Sequence, residues 1–288
     1  MQEKLSRNRK MKCALLNGLM YISAGMICLI LLGTIGYILF RGLPRISLEL
    51  LSSKPSLIRE TVGILPNILN TVYIILITHV MVLPIGVGAA IYLNEYAKNK
   101  KIVRMIELAT ETLSGIPSII YGLVGMLIFV QFLSLGTSLL AGSLTLVIMT
   151  LPTVIRTTQE SLKTVPNGCR EGSLALGAGK WHMIRTVVLP SAIDGIVTGC
   201  ILSIGRIVGE SAALLFTAGM ANEVLGLADA VKPGNAGSSL TVALYMYAKE
   251  RGEFEIAFAI AAILLVLTFV INISAKLTAT WLKKKGAK

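Results

Sequence analysis

Six long apolar stretches, separated by charged or turn-forming segments, dominate the pattern of this chain. Each has almost no charge and runs for about 20 residues, which is the length an α-helix needs to cross the hydrocarbon core of a bilayer. They cover residues 19–40, 65–93, 106–132, 139–155, 191–216 and 256–277. The pattern predicts an all-α membrane protein with six transmembrane helices. A short Ser/Gly stretch at 134–138 predicts a tight hairpin between the third and fourth.

Composition agrees with this class and excludes a soluble globule. Of the 288 residues, 54% are hydrophobic and only 15% are charged, whereas soluble domains carry about 25% charged residues. The four cysteines, Cys13, Cys28, Cys169 and Cys200, form no CxxC pair and have no metal-ligand spacing. We see no clustered nucleophile or histidine pair either, so an enzyme is not expected.

The basic residues determine the predicted topology. The net charge of +12 suggests nucleic-acid binding, but the Lys and Arg residues lie at the ends of apolar stretches. Of the 27 Lys and Arg residues, 18 lie in the two terminal segments and in the loops that follow the second and fourth spans. Seven lie in the loops that follow the first and fifth spans, and two lie inside spans. The positive-inside rule therefore places both termini in the cytoplasm. The predicted regions are a cytoplasmic tail (1–18), a first helix with an external loop (19–64), a core transmembrane domain (65–282) and a second tail (283–288).

Several polar residues lie inside the apolar stretches. Arg206 and Glu210 are spaced i,i+4 in the predicted fifth span, which places them on one face of a helix. Intramembrane charges usually line a cavity or pair with each other, so a translocation pathway and a structural ion pair are both open. His79 is either a proton relay or a hydrogen-bonded packing residue. The pairs Gly195–Gly199 and Gly205–Gly209 favour close helix packing.

The longest predicted cytoplasmic loop, 156–190, has its own pattern. Apolar positions alternate with polar ones around Gly177 and Gly179, which predicts short amphipathic helices separated by a turn. His182 is expected at its surface. On periodicity alone, an interfacial helix fits equally well.

This loop resembles the EAA loop of ABC importer permeases, whose pattern is E-A-A-x3-G-x9-I-x-L-P. The spacing fits without gaps, and the departures are small: Gly and Ser replace the two alanines and Val187 replaces isoleucine. The matching residues are Glu171, Gly172, Ser173, Gly177, Leu189 and Pro190. The resemblance implies that the loop docks onto a cytoplasmic ATPase. The chain has no G-x4-G-K-[ST] motif, so ATP and Mg²⁺ are expected on that partner and no cofactor is expected here.

Three further segments, 111–123, 151–158 and 205–219, look like the phosphate-importer permeases, of the A type rather than its C-type sister. That resemblance implies the type I ABC importer permease fold and a heterodimer with a sister permease. It also implies an ATPase dimer and an extracytoplasmic phosphate-binding protein as partners. Ser211-Ala212-Ala213 stands where the family usually has Thr-Ala-Pro, which puts a local kink in doubt.

In this interpretation, Arg206 lines the pathway and its planar fork suits two phosphate oxygens. Glu210 would hold Arg206 and limit anion affinity. Arg156 is a second pathway candidate, or a flanking charge of the positive-inside kind. The external segment 220–255, a loop with a re-entrant or surface helix, is a candidate contact for the binding protein. Two alternatives remain: an ABC importer of another oxyanion or small solute, and an ion-coupled secondary transporter.

Overall fold

The computed structural model describes residues 7–55 and 62–286, which form helices and connecting segments without a strand in those ranges. Three of the 27 basic residues counted above, Lys4, Arg59 and Lys288, lie outside these ranges. The helices in chain order are α1 (Arg7–Gly42), α2 (Leu48–Ser52), α3 (Leu65–Ile91), α4 (Lys100–Ser114), α5 (Ser118–Gly125), α6 (Leu139–Thr164), α7 (Asn167–Ala175), α8 (Lys180–Met183), α9 (Leu189–Val208), α10 (Ala212–Thr217), α11 (Leu227–Ala230), α12 (Leu240–Tyr245) and α13 (Phe254–Gly286).

Within these ranges, five helical segments are long and apolar enough to cross a membrane. Several are extended by π-helical turns: Tyr92–Tyr96 continues α3, Met126–Phe132 continues α5, and Ile184–Val188 joins α8 to α9. A sixth candidate span is a bent pair of helices. The all-helical prediction and the positions of spans one, two, four and six are confirmed.

The third predicted span is not one continuous helix. Lys100–Ser114 and Ser118–Phe132 meet at an angle of 99°. The break falls at Gly115-Ile116-Pro117, because proline disfavours helical backbone in the residue before it. Helix α4 is amphipathic and its apolar and charged residues alternate with helical period. The stretch 106–132 is therefore two helices with different surroundings.

The fifth predicted span is also interrupted. Helix α9 ends at Val208, and residues 209–211 separate it from α10. Gly209 occupies the C-cap position, and the next helix begins only at Ala212. The continuous helix predicted over 191–216 is therefore wrong beyond Val208.

Helix α6 is the centre of the bundle. It packs against α3 on one side and α9 on the other, and α13 packs against α9. Close approach is possible because Gly195 and Gly199 of α9 lie directly against Ser161 and Thr157 of α6. Helix α1 meets the bundle only near its C-terminal end, through an edge-to-face contact of Tyr37 with Phe258 of α13.

The middle of the segment between α10 and α13, residues 237–243, is buried inside the bundle, whereas residues 231–234 are exposed. Ser238 and Ser239 are buried, and the Leu240 N–H donates to the hydroxyl of Thr71 in α3 over 2.9 Å. The Thr241 hydroxyl donates to the carbonyl of Val208 at the end of α9 over 3.0 Å. This segment therefore closes the bundle around the break between α9 and α10, which fits the re-entrant form of the prediction.

Candidate functional site

The predicted coupling loop folds as two short helices joined by a left-handed glycine. Helix α7 ends at Ala175 with Leu176 as its C-cap residue, and Gly177 follows with φ +83°. L-residues with a side chain rarely adopt that conformation, whereas glycine does so without penalty. The N–H groups of Gly177 and Ala178 return to the carbonyls of Leu174 and Ser173. The chain can then turn sharply and start α8 at Lys180.

The predicted coupling residues fall into two groups. Glu171, Gly172 and Gly177 are exposed and Ser173 is half-buried, all on α7 or its turn. Leu189 and Pro190 are half-buried and lie where the π-helical turn Ile184–Val188 continues into α9. The first group is therefore available to a partner, and the second connects the loop to a membrane helix.

Apolar side chains project from this loop into solvent. Leu176 is 91% exposed and Trp181 is 59% exposed, although Met183 and Ile184 of the same segment are buried against α3 and α6. His182 is exposed, as the sequence predicts. Large apolar groups that stay uncovered beside a firmly packed base are typical of an interaction surface.

The structure adds a buried ion pair that the sequence analysis missed. Arg170 of α7 donates to the Glu95 carboxylate over 3.0 and 3.2 Å, and the two side chains are only 15% and 6% exposed. Lys180 of α8 donates to the main-chain carbonyl of Glu95, and its Nζ lies 4.8 Å from the centre of the Tyr96 ring. Both helices of the loop are thus attached to the end of the second span.

The second candidate region is the uncovered face of α9. One stripe of this helix is exposed along its length, and its members are small or polar except one: Ser191, Asp194, Thr198, Leu202, Gly205 and Gly209. Glycine packing is confirmed for Gly195 and Gly199, which face α6. A Cβ at Gly205 would meet nothing within 4 Å, so the second glycine pair belongs to the open stripe.

Arg206 lies at the edge of this stripe, in the last turn of α9, where a cation is favourable with the helix dipole. Its side chain is half-buried and within electrostatic range of Tyr121. Among the described residues, its guanidinium makes neither a hydrogen bond nor an ion pair. A partly buried guanidinium with its donors unused can receive an anionic ligand.

Glu210 is not on the same helix face as Arg206, and the i,i+4 prediction is wrong. Because α9 stops at Val208, Glu210 lies in the interhelical segment. It is 8% exposed, and its carboxylate accepts the Ala213 N–H at the start of α10 over 3.0 Å. No ion pair joins it to Arg206 in the described part of the chain. Glu210 therefore acts as a helix cap.

Arg156, the third predicted pathway residue, lies far along α6 and is exposed. It pairs with Glu160 over 3.2 Å and with Glu111 of α4 over 3.5 Å. These residues line a polar cavity of about 210 Å³ between α4 and α6. Arg156 thus connects the amphipathic helix to the bundle, and the structure does not bring it together with Arg206.

His79 faces a larger, apolar cavity of about 720 Å³ between α3, α9 and α13. Its Nδ1 lies 2.9 Å from the Ile75 carbonyl and its Nε2 lies 2.9 Å from the Ser203 hydroxyl. A carbonyl oxygen can only accept, so Nδ1 carries a hydrogen. Both ring nitrogens are satisfied within the bundle, which agrees with the packing interpretation.

The family model of binding-protein-dependent transport system inner membrane components matches residues 82–284, which include the coupling loop and α9. The chain belongs to this family. It is 36% identical to the probable ABC transporter permease protein YqgI of Bacillus subtilis over 290 residues, covering 96% of this chain and 98% of that one. It is also 32% identical to the phosphate transport system permease protein PstA of Haemophilus influenzae, covering 93% and 94%.

Two solved structures share the fold of this ABC permease. The structure of a bacterial alginate ABC transporter superposes with a TM-score of 0.67 at 13% identity, covering 98% of this chain and 99% of that one. An inward-facing structure of the MetNI methionine ABC transporter superposes with a TM-score of 0.61 at 19% identity, covering 75% and 94%. The type I importer fold is thereby confirmed. The chain is a multi-pass membrane transport subunit of an ABC importer.

Proposed function

We propose that this permease forms half of the translocation pathway of an ATP-driven importer of inorganic phosphate. The observation that carries the proposal is Arg206, whose donors are unused among the described residues and which borders the open, small and polar stripe of α9. A charged residue at the bilayer centre costs about 2.5–3.5 kcal/mol on insertion scales, so it is retained where it has a function. The PstA relatives support phosphate as the cargo.

Transport requires a site that an anion enters readily and leaves quickly. Arg206 alone supplies one positive charge and a planar fork that matches two phosphate oxygens. Glu210 points its carboxylate at α10, so it does not neutralise Arg206 directly. The uncovered stripe of α9 would face the same helix of a sister permease, and the two subunits together would enclose the pathway.

The coupling loop is the proposed attachment for a separate ATPase that binds ATP and Mg²⁺. Its exposed Leu176 and Trp181 supply the apolar contact, and Glu171 and Gly177 shape the docking helix. When the ATPase dimer closes, the loop moves and carries the membrane helices with it. Both termini lie in the cytoplasm in this proposal, and an extracytoplasmic binding protein delivers phosphate from the other side.

The proposal is tested by uptake of radiolabelled phosphate into proteoliposomes that contain both permeases, the ATPase dimer and the binding protein. We expect ATP-dependent accumulation that unlabelled phosphate suppresses and that sulfate, molybdate and amino acids do not. Suppression by one of those solutes instead would assign the cargo to it. Accumulation that needs an ion gradient and no ATP would favour the secondary transporter.

A Leu176→Glu variant tests the docking surface separately. Because Leu176 is 91% exposed, the change leaves the fold of this chain intact and places a charge in the proposed apolar contact. We expect the variant to lose co-purification with the ATPase while it still pairs with the sister permease. Retention of the ATPase would rule out this surface. Leu48→Glu, at the 85% exposed first residue of α2, is the matched control.

A further inference from the structure

Glu95 contacts both helices of the coupling loop. Its carboxylate accepts Arg170 from α7, and its main-chain carbonyl accepts Lys180 from α8. The two contacts lie on opposite sides of the Gly177 turn. Rotation of either short helix about that turn would break one of them, so the segment is fixed to Glu95 as one body.

The Arg170 guanidinium also joins a third helix. It donates to the carbonyl of Leu162 in the last turn of α6 over 2.8 Å and to that of Val165, the residue that follows this helix. One side chain therefore holds α7, the end of α6 and the extension of α3 together. The joint lies beside a buried apolar cluster that includes Leu93, Leu162 and Ile184.

Burial makes this joint stiff. The Glu95 side chain is 6% exposed and that of Arg170 is 15% exposed, whereas the other ion pairs of the described residues have partners that are 39% exposed or more. Surface pairs contribute little and exchange with water easily. Separating a buried pair leaves an uncompensated charge, so opening this joint would be costly.

We propose that the Glu95–Arg170 joint transmits the movement of the coupling helix to α3 and α6. It is a positioning device and touches neither nucleotide nor cargo. The inference rests on the proposed function, since it presupposes an ATPase that moves α7. Through this joint, α7 would displace the cytoplasmic ends of both helices as a rigid unit, and α9 would follow through its packing on α6.

The test measures phosphate transported per ATP hydrolysed by the reconstituted four-component importer. Glu95→Gln removes the charge and keeps the shape and the main-chain carbonyl, and Arg170→Met removes the donors and keeps an unbranched apolar stem. Coupling between sites is typically worth a factor of about 5 to 150, so we expect the ratio to fall by about tenfold while ATP hydrolysis persists. Arg45→Met, which removes the exposed Arg45–Glu255 pair, is the matched control and should keep the ratio.

Normalising to assembled complex separates transmission from folding. If the variants only lower the yield of complex and each complex keeps the wild-type ratio, the pair is merely structural and the proposal is overturned. A covalent tether supplies a second measurement. In a chain whose four cysteines are changed to alanine, Glu95→Cys and Arg170→Cys joined by a bis-maleimide should recover the ratio, and the unjoined variant should not.

Failure of the proposed function would look different. A wild-type complex that shows no ATP-dependent phosphate uptake contradicts the function and not the joint. If the wild type imports another solute, the same ratio is measured with that solute. An unchanged ratio in both Glu95→Gln and Arg170→Met, with active wild type, overturns the joint alone.

Discussion

Gly86 of α3 lies directly against Val154 of α6: a Cβ at Gly86 would come within 2.8 Å of Val154 Cγ1. Gly88, two residues further along the same helix, has no atom within 4 Å of its Cβ position. Gly86→Ala therefore overpacks the α3–α6 contact, which typically costs about 1–3 kcal/mol. Its thermal unfolding in detergent should occur at a lower temperature than that of the wild type.

Gly88→Ala is the matched control, because both changes bring the same gain in helix propensity of up to about 1 kcal/mol. We expect it to unfold at or above the wild-type temperature. The difference between the two variants isolates the steric contact. Equal melting temperatures would mean that α3 and α6 do not approach each other this closely.

The hydrophobic pattern predicted most of the spans because length and lack of charge are local properties. It predicted one helix over 106–132 even though Gly115 and Pro117 mark the break, since apolar character continues on both sides of them. The two charges of α4 inside this stretch, Glu107 and Glu111, are the signal of a different environment that an apolar average hides.

The sites were harder to predict, because they depend on distant partners. The isolated charge of Arg206 is visible in the sequence and its role in the pathway stays a prediction, but the predicted relation to Glu210 is wrong because the helix end at Val208 removes the i,i+4 geometry. Glu95 and Arg170 are 75 positions apart. Nothing in the sequence joins them, and both resembled ordinary charges at the ends of apolar stretches.

The turn of the coupling loop predicts a second pair of variants. Gly177 has φ +83°, and an L-residue in the left-handed region costs about 1–2 kcal/mol. Gly177→Ala should therefore displace α8 relative to α7 and weaken ATPase binding in a pull-down from membranes. Gly179→Ala should bind like the wild type, because Gly179 has φ −68° and ψ 154° and an open Cβ position. Equal binding by both variants would show that the turn does not position the docking surface.

The separation of Arg206 from Glu210 predicts independent effects on stability. Glu210→Ala removes the carboxylate that caps α10, at a cost of about 0.5–2 kcal/mol. Arg206→Gln removes no hydrogen bond or ion pair of the described residues. The double variant should equal the sum of the single variants within about 0.5 kcal/mol, as measured by denaturant unfolding in mixed micelles. A double-mutant cycle on Glu95 and Arg170 serves as the positive control. There we expect the double variant to differ clearly from the sum of the single variants, because the two side chains form an ion pair.

Arg206 itself carries the prediction about cargo. Arg206→Gln should assemble and hydrolyse ATP normally, because the guanidinium makes no hydrogen bond or ion pair among the described residues. Its phosphate uptake should fall by about tenfold or more, in line with a charge-assisted hydrogen bond of about 1.5–3 kcal/mol. Arg206→Lys keeps the charge without the planar fork and should retain an intermediate rate. Thr198→Ala, on the same exposed stripe of α9, leaves the charge of Arg206 in place. It tests whether a small change to that helix face alters phosphate uptake without any change in charge. Normal uptake by Arg206→Gln would remove Arg206 from the pathway, and equal losses in the Gln and Lys variants would assign the effect to the fork and not to the charge.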